Sequence, residues 1–371
     1  MPDYDAIVIG ARVAGSLTVT LLAERRWRVL LLDRASFPSD TISTHFFRAP
    51  ALLAFRRAGV LDEVLATGAP RLRAQFTDFG GHLFRDAVAD TQGFDYYLCV
   101  RRIALDEILV RRARREPTVD FRPHTTVRSL LMENGRVTGV RATGAEGSFD
   151  ATARVVIGAD GVRSLVARTV AATIEHAEPV RRAMYYGYFA DLAPEEGPAA
   201  EFHFRGDELV YVFPCDASLT LLAVSIPIAE FPNWQRHHTT LFRESLRARP
   251  ALAPRVARAS QVGRVYGAGD IPGYIRVPYG AGWALVGDSA LVMDPYSGQG
   301  IDQASTHAAF LADALHQWFA GEEPWERAMI GYRTRRNEFT EPTYRRTCNF
   351  ARDLSQVVRT RLQERGVARS D

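Results

Sequence analysis

A short apolar segment, Tyr4-Asp-Ala-Ile-Val-Ile-Gly10, runs into Gly10-Ala-Arg-Val-Ala-Gly15 and on into an apolar stretch through Leu22 and Ala23. Few folds accept that order. A strand buried on both faces of a parallel sheet is apolar throughout, and a glycine turn directly behind it lets a helix start close to the strand end. Arg28-Val-Leu-Leu-Leu-Asp33 supplies the next strand, apolar and closed by an acid. Strand, helix and strand together predict a parallel α/β unit of the nucleotide-binding kind, because the turn presents backbone N–H groups and a positive helix end to a pyrophosphate. Gly10 and Gly15 take the first and third glycine places and Ala14 lies inside the turn. Arg12 takes the second place, where a Cβ hinders backbone approach but a guanidinium can itself meet phosphate. Asp33 stands where a carboxylate accepts from a ribose without a 2′-phosphate, with Arg34 beside it.

At 371 residues the chain exceeds the roughly 250–300 residues at which a single core stops growing, so two linked domains are expected. No apolar run reaches the ~18 residues of a membrane span, and the N-terminus enters a strand without a basic, apolar leader. A soluble, cytoplasmic chain is expected. Cys99, Cys215 and Cys348 are odd in number and widely spaced, which suits buried thiols better than disulfides or zinc. The nine histidines form no metal-ligand pattern. The chain has no lysine, all 46 basic residues being arginine, and this excludes Schiff-base catalysis by a lysine. Net charge is only +3, and clusters such as Arg111-Arg112-Ala-Arg114-Arg115 read as solvated helix faces, so no nucleic-acid partner is expected.

Further along, helices are predicted near Ala51–Ala58, stopped by Gly59, and over Arg102–Val110. A hairpin is predicted from Val127–Glu133 and Arg136–Thr143, joined at Asn134-Gly135. Ala153-Arg-Val-Val-Ile-Gly-Ala-Asp160 returns the chain to the buried sheet. From about Arg181 to Tyr274 the pattern becomes that of an antiparallel sheet, with Glu201 and His203 on one face and Phe202 and Phe204 on the other. A helix is predicted from Gly300 to about Phe319, and Pro324–Asp371 reads as helical. The division expected is a discontinuous nucleotide-binding domain (1–70, 98–178 and 272–322), a substrate-binding antiparallel sheet (71–97 and 179–271) and C-terminal helices (323–371). The fold class is α/β, α+β overall, with a Rossmann-like first domain.

Two more segments belong to the same site. Gly158-Ala-Asp-Gly-Val-Arg-Ser164 carries Asp160 at a strand end. Gly282-Trp-Ala-Leu-Val-Gly-Asp-Ser-Ala-Leu-Val-Met-Asp-Pro-Tyr-Ser-Gly-Gln-Gly300 reads as a strand, a loop and a glycine-opened helix. In it Asp288 can accept from two hydroxyls of a ribityl chain, and the Ala-Leu-Val-Met run delays the helix until Gly298. Gly298, Gln299, Gly300 and Ile301 open backbone N–H groups toward a flavin ring. A helix N-terminus typically stabilises a nearby anion by ~0.3–1 kcal/mol, which suits a reduced flavin held as its N1 anion.

With these segments in this order over about 300 residues, the chain resembles flavoprotein monooxygenases of the para-hydroxybenzoate hydroxylase type, a group that includes geranylgeranyl-reductase-like enzymes and flavin-dependent halogenases. The resemblance implies bound FAD. It places Asp160 near the dinucleotide and the nicotinamide approach, Gly287 and Asp288 at the ribityl chain, and Arg102 near the flavin phosphate or ribityl region. Where the group usually has an arginine before His45, this chain has Ser43 or Thr44. His45, Pro295 and Tyr211 are the candidates for groups beside the reacting ring, with Tyr296 and His203 behind them.

The resemblance further implies NAD(P)H as a transient co-substrate, since no second dinucleotide fold is apparent; a separate flavin reductase is the other source of electrons. The expected activity is hydroxylation or epoxidation of a small organic substrate, aromatic or polyketide-like, with O2 through a flavin C4a-hydroperoxide in a water-poor pocket, a reaction suited to secondary metabolism. Two alternatives stay open: a flavin reductase saturating C=C bonds, and a non-catalytic flavin-binding redox sensor. Halogenation would need a lysine between flavin and substrate. A monomer and a homodimer are equally compatible with the sequence.

Overall fold

The computed structural model describes residues 1–43 and 45–367. Thr44 and the 368–371 end of the expected C-terminal helical segment lie outside them.

Four parallel pairings bring the apolar strands together. Tyr4–Ile9 lies between Gly147–Gly158 and Val29–Leu32, with Val119–Arg122 beyond the latter and Trp283–Leu285 beyond the former. Ala6, Ile7, Val8, Val29, Leu30, Leu31 and Leu32 are all fully buried, which explains why neither strand alternates. One face is covered by the helices Val13–Ala23, Arg102–Arg114 and Gly300–Phe319. Every residue of Val13–Ala23 is buried, so this helix has no solvent stripe and only weak amphipathicity. The other face is covered by the hairpin Thr126–Glu133 and Arg136–Gly144 and the short helix Leu165–Thr169. At the hairpin turn Asn134 and Gly135 both have positive φ, as the dipeptide requires.

A second, seven-stranded sheet runs in the order Ser260–Ala268, Arg182–Ala190, Leu219–Pro227, Glu208–Pro214, Ala199–Arg205, Ala74–Phe79, Leu83–Ala87. It departs from the expectation of a purely antiparallel sheet at one place: Ala199–Arg205 pairs parallel with Ala74–Phe79, because the chain returns to this sheet after crossing the first one. Its register builds an aromatic face. Phe202 stands opposite Tyr211, Tyr211 opposite Ala223, Ala223 opposite Tyr186 and Tyr186 opposite Tyr266, so these five side chains form one row across the sheet. The next row holds Phe213, Leu221 and Tyr188. The opposite face packs on the helix Phe231–Arg247 through Trp234, Phe242 and Leu246. There Glu201, His203 and Asp78 form a buried polar cluster. His203 Nε2 lies 3.0 Å from Glu201 Oε2, and Arg255 holds both oxygens of Glu201 at 2.7 Å.

The aromatic face meets the first sheet's loops. Phe46, in a two-stranded ladder of Phe46–Phe47 with Leu98–Cys99, stacks on Phe213 with ring centroids 4.3 Å apart. The helix Trp325–Ala351 and, after a break capped by Asp353, the helix Leu354–Glu364 close the end of this face through Phe350, Leu354, Val357 and Leu362. No helix among the described residues is long and apolar enough to cross a membrane.

Candidate active site

The three glycine-containing segments, far apart in sequence, touch one another. Gly10 has φ +102°, and a Cβ there would collide with the carbonyl of Ala159, the residue directly after the Gly147–Gly158 strand. Gly287 has φ +65°, and a Cβ on it would lie 2.8 Å from the Cβ of Ala14. Gly10 therefore allows a backbone-to-backbone approach, and Gly287 an approach of backbone to the Ala14 methyl, that a further side chain would block. The first intrahelical bond of the Val13–Ala23 helix runs from Ser16 N–H to the Arg12 carbonyl at 2.9 Å, which leaves the N–H groups of Val13, Ala14 and Gly15 without acceptors in their own helix.

Asp33 braces this turn. Its Oδ2 accepts from Ala11 N–H at 2.7 Å and its Oδ1 from Ala35 N–H at 2.8 Å. Each oxygen keeps a further lone pair, so bracing and ribose binding are compatible. Arg34 is exposed. Asp160 Oδ2 accepts from Leu165 N–H at 2.7 Å, while its Oδ1 is buried without a hydrogen-bond partner. Burial pushes this carboxyl pKa up against those bonds.

Arg12, expected at the phosphate, is tied to protein on several sides. It lies 2.5 Å from Asp106, 3.3 Å from Ser39 Oγ and 3.1 Å from the Asp40 carbonyl, and it sits over the ring of Phe37. Asp106 is fully buried and also receives a two-pronged contact from Arg102, at 2.9 Å to each oxygen. Two cations thus share one carboxylate, which leaves a net positive charge beside the glycine turn. Asp288 is the one exposed residue in the otherwise buried stretch Ala284–Met293. The surrounding protein still crowds water from it and raises its carboxyl pKa, against the attraction of Arg102. That pairing of exposure and crowding places Asp288 in the wall of a cleft.

The loop after Asp288 is more structured than its sequence implies. It contains the strand Leu291–Val292 and a single turn, Pro295–Ser297, capped by Asp294, before the helix begins at Gly300. Arg48 holds this turn. Its guanidinium donates to the Ser297 carbonyl at 3.1 Å, the Gly298 carbonyl at 3.0 Å and Asp302 Oδ2 at 3.0 Å, while its backbone N–H donates to Asp302 Oδ1 at 2.8 Å. In a trans peptide the N–H points opposite the carbonyl. With the Gly298 carbonyl fixed on Arg48, the Gln299 N–H therefore faces away from it. The first bond of the Gly300–Phe319 helix runs from Gln303 N–H to the Gln299 carbonyl at 2.9 Å, so Gly300, Ile301 and Asp302 also carry N–H groups with no acceptor in their helix. Arg48 and Asp302 escaped the sequence reading. The available signal was an arginine directly ahead of Ala49-Pro50, at a helix start where nothing local calls for a cation.

His45 is buried with φ +58°. Its Nε2 lies 2.6 Å from the Tyr188 hydroxyl, its ring stacks on Tyr188 and meets Tyr186 edge-on, and its Nδ1 has no hydrogen-bond partner. Burial, with Arg102 and Arg101 nearby, drives its pKa well below the ordinary value, so the imidazole is neutral. Tyr211 is fully buried, and its hydroxyl donates to the Tyr296 carbonyl at 2.6 Å, a bond joining the aromatic sheet to the Pro295–Ser297 turn. Burial raises its pKa well above the ordinary value. Tyr211 therefore positions the turn and is poorly placed to exchange protons. Pro295 opens that turn and is partly exposed. His203 lies on the opposite face of the sheet, away from this cluster.

The residues fit FAD. A glycine cradle closed to any Cβ, two sets of unpaired helix-start N–H groups, a net cation between them and an accessible carboxylate at a strand end match a pyrophosphate, a ribityl chain and an electron-rich ring. The comparisons agree. The family described as "FAD binding domain" matches residues 3–347. Digeranylgeranylglycerophospholipid reductase 2 of Methanopyrus kandleri is 27% identical over 311 residues, 81% of this chain and 73% of that protein. The solved structure of the myxobacterial chondrochloren halogenase CndH superposes with a TM-score of 0.84 at 25% identity, covering 92% of this chain and 81% of the other. PqsL, a probable FAD-dependent monooxygenase from Pseudomonas aeruginosa, superposes with a TM-score of 0.81 at 22% identity, covering 98% and 99%. The chain belongs to the FAD binding domain family, among the FAD-dependent oxidoreductases.

Proposed function

We propose that this chain is an FAD-dependent monooxygenase that adds one oxygen atom of O2 to a small aromatic or polyketide-like molecule, with NAD(P)H as a transient reductant. The observation that carries the reading is the aromatic row Phe202, Tyr211, Tyr186 and Tyr266, turned toward His45 and the Pro295–Ser297 turn and tied to that turn by the Tyr211 hydroxyl. Such a face packs against a flat, electron-rich substrate. It belongs to the substrate-holding part, 71–97 and 179–271, with 1–70, 98–178 and 272–322 holding the cofactor and 323–371 closing the end.

Bound FAD would supply the redox chemistry, taking hydride and passing electrons to O2. The chain's own residues hold and shield it. Ala14 and Gly15 bring backbone N–H groups to the pyrophosphate, and Gly10, whose own N–H donates to the Leu32 carbonyl at 2.8 Å, keeps the turn free of a side chain, with Arg12 and Arg102 adding charge. Asp33 and Arg34 stand at the adenosine end, and Asp160 lines the dinucleotide. Gly287 and Asp288 receive the ribityl hydroxyls. Gln299, Gly300 and Ile301 direct N–H groups to the ring edge where negative charge develops on reduction, whereas the Gly298 N–H, expected there as well, donates to the Pro295 carbonyl at 3.1 Å and closes the turn instead. Neutral His45 can accept or donate a hydrogen bond at Nδ1 without bringing a charge into the pocket. Pro295 shapes the turn against the substrate side. The sheet and the C-terminal helices exclude water, which protects a reactive oxygen species from hydrolysis. The absence of lysine from the chain supports oxygenation over halogenation.

Similarity to the Methanopyrus reductase favours, as a second reading, saturation of a C=C bond by the same cofactor. Oxygen uptake separates the two. The proposal expects NAD(P)H oxidation stimulated by an aromatic ligand, with one O2 consumed per product; equal turnover without O2 would overturn it.

A further inference from the structure

Two of the three thiols meet at the boundary between the two sheets. Cys99, at the end of the Leu98–Cys99 strand, and Cys215, just after Glu208–Pro214, are buried with their sulfur atoms 3.0 Å apart. Cys215 also faces the Phe213 carbonyl at 3.2 Å. A cavity of about 310 Å³ has Cys215 in its lining, together with Pro70, Pro194, Pro198, Pro214 and Arg255. The four prolines, each with a fixed φ, stiffen its wall. Cys348 is elsewhere, in an apolar cluster with Ile275, Leu291, Met293 and Tyr344.

We propose that Cys99 and Cys215 are a peroxide-sensitive dithiol that closes to a disulfide, with the cavity as the route of entry. Hydrogen peroxide meets Cys215 first. The Cys215 sulfur forms a bond to one peroxide oxygen as the O–O bond breaks, and with the thiol proton the other oxygen leaves as water. The Cys99 sulfur then attacks the Cys215 sulfur; the S–S bond forms, the S–O bond breaks and a second water leaves with the Cys99 proton. Two thiols lose one electron each, and one hydrogen peroxide becomes two waters.

Burial and the neighbouring Cys215 push the Cys99 thiol pKa well above its ordinary value, so closure is slow and quickens with rising pH. The link joins positions 116 residues apart. It ties the ladder strand that pairs with Phe46–Phe47, between His45 and Arg48, to the bend of the aromatic sheet. Oxidation would thus lock the two walls of the candidate active site together. This inference does not depend on the monooxygenase reading, because the peroxide can come from any source.

Intact-mass analysis and peptide mapping after treatment with hydrogen peroxide, with alkylation of the remaining thiols, test it. The expected result is a loss of two hydrogens, about 2 Da, a single linked peptide pair holding Cys99 and Cys215, alkylation of Cys348 alone, and full reversal by dithiothreitol. Cys215→Ser and Cys99→Ser, checked for unchanged far-ultraviolet circular dichroism, should each abolish the mass loss. Recovery of Cys99 and Cys215 as alkylated thiols overturns the proposal. So does oxidation that stops at Cys215 without a link, or a link that includes Cys348.

Discussion

Arg48→Met keeps much of the side-chain length but removes the guanidinium that bridges Asp302, Ser297 and Gly298. Asp302 is fully buried, and what remains to it is chiefly the backbone N–H of residue 48 at 2.8 Å. Stripping one partner from a buried ion pair typically costs about 3–5 kcal/mol, because the other charge stays behind unpaired. Arg48 is itself 23% exposed, so the lower end, about 3 kcal/mol, is expected. At roughly 2 °C per kcal/mol for a large domain, the melting temperature falls by about 6 °C.

The pH dependence has a definite sign. Burial already raises the Asp302 pKa in the intact protein, and losing Arg48 raises it further. A carboxyl whose folded pKa lies above its unfolded value stabilises the fold at low pH and loses that contribution as pH rises through the folded value. The deficit of Arg48→Met should therefore shrink on acidification. FAD affinity should fall about tenfold or more, since freeing the two carbonyls unfixes the Gln299 peptide by an amount comparable to one charge-assisted bond, about 1.5–3 kcal/mol. Urea unfolding and flavin-fluorescence titration of Arg48→Met, Asp302→Asn and the double variant measure both effects. Arg48→Met costing less than about 1 kcal/mol, or strictly additive single effects, would refute the assigned coupling.

Gly10→Ala should abolish flavin binding while leaving a folded chain, because its Cβ meets the Ala159 carbonyl at φ +102°; retention of yellow colour through desalting would contradict this. Tyr211→Phe should lower stability by about 1 kcal/mol through the lost bond to the Tyr296 carbonyl and reduce turnover without removing either limb of the pH profile, which steady-state kinetics across pH can check. The buried cluster on the far face sets a stability window. Burial pulls the His203 pKa down, but Asp78 and Glu201 more than offset it and raise it above 6.5, while both carboxyl pKa values are lowered. The His203 contribution is complete below about pH 6.5 and is lost as pH rises through its folded value; that of the carboxylates is lost as pH falls below their ordinary range. His203→Gln should flatten the alkaline side of a plot of urea midpoint against pH, and an unchanged slope would exclude this cluster as its source.

Elements built from local pattern were legible in the sequence. The Gly300–Phe319 helix has the expected ends, the Asn134-Gly135 hairpin forms, and the all-apolar strands are buried on both faces. The faces of Phe202 and His203 also follow directly from alternation. Long-range pairing was not legible. The parallel contact between Ala199–Arg205 and Ala74–Phe79 joins segments more than a hundred residues apart, and no local signal specifies it. The Arg12 partner Asp106, 94 positions away on another helix, leaves no local signal beside the glycine turn. The Arg48–Asp302 pair was invisible for the same reason, at a separation of 254 residues. Tyr211 lies on the expected strand, but the partner of its hydroxyl, a backbone carbonyl 85 positions later, has no local signal in the sequence.

Titration of flavin-stripped protein with FAD, following flavin fluorescence, tests most directly whether the N-terminal turn and the Gly287–Ile301 segment hold the cofactor together. One FAD per chain should bind, with affinity reduced at least about tenfold, or 1.4 kcal/mol, in both Asp288→Ala and Gly287→Val. A chain that takes up no FAD, or variants that bind it as tightly as the parent, would contradict the account.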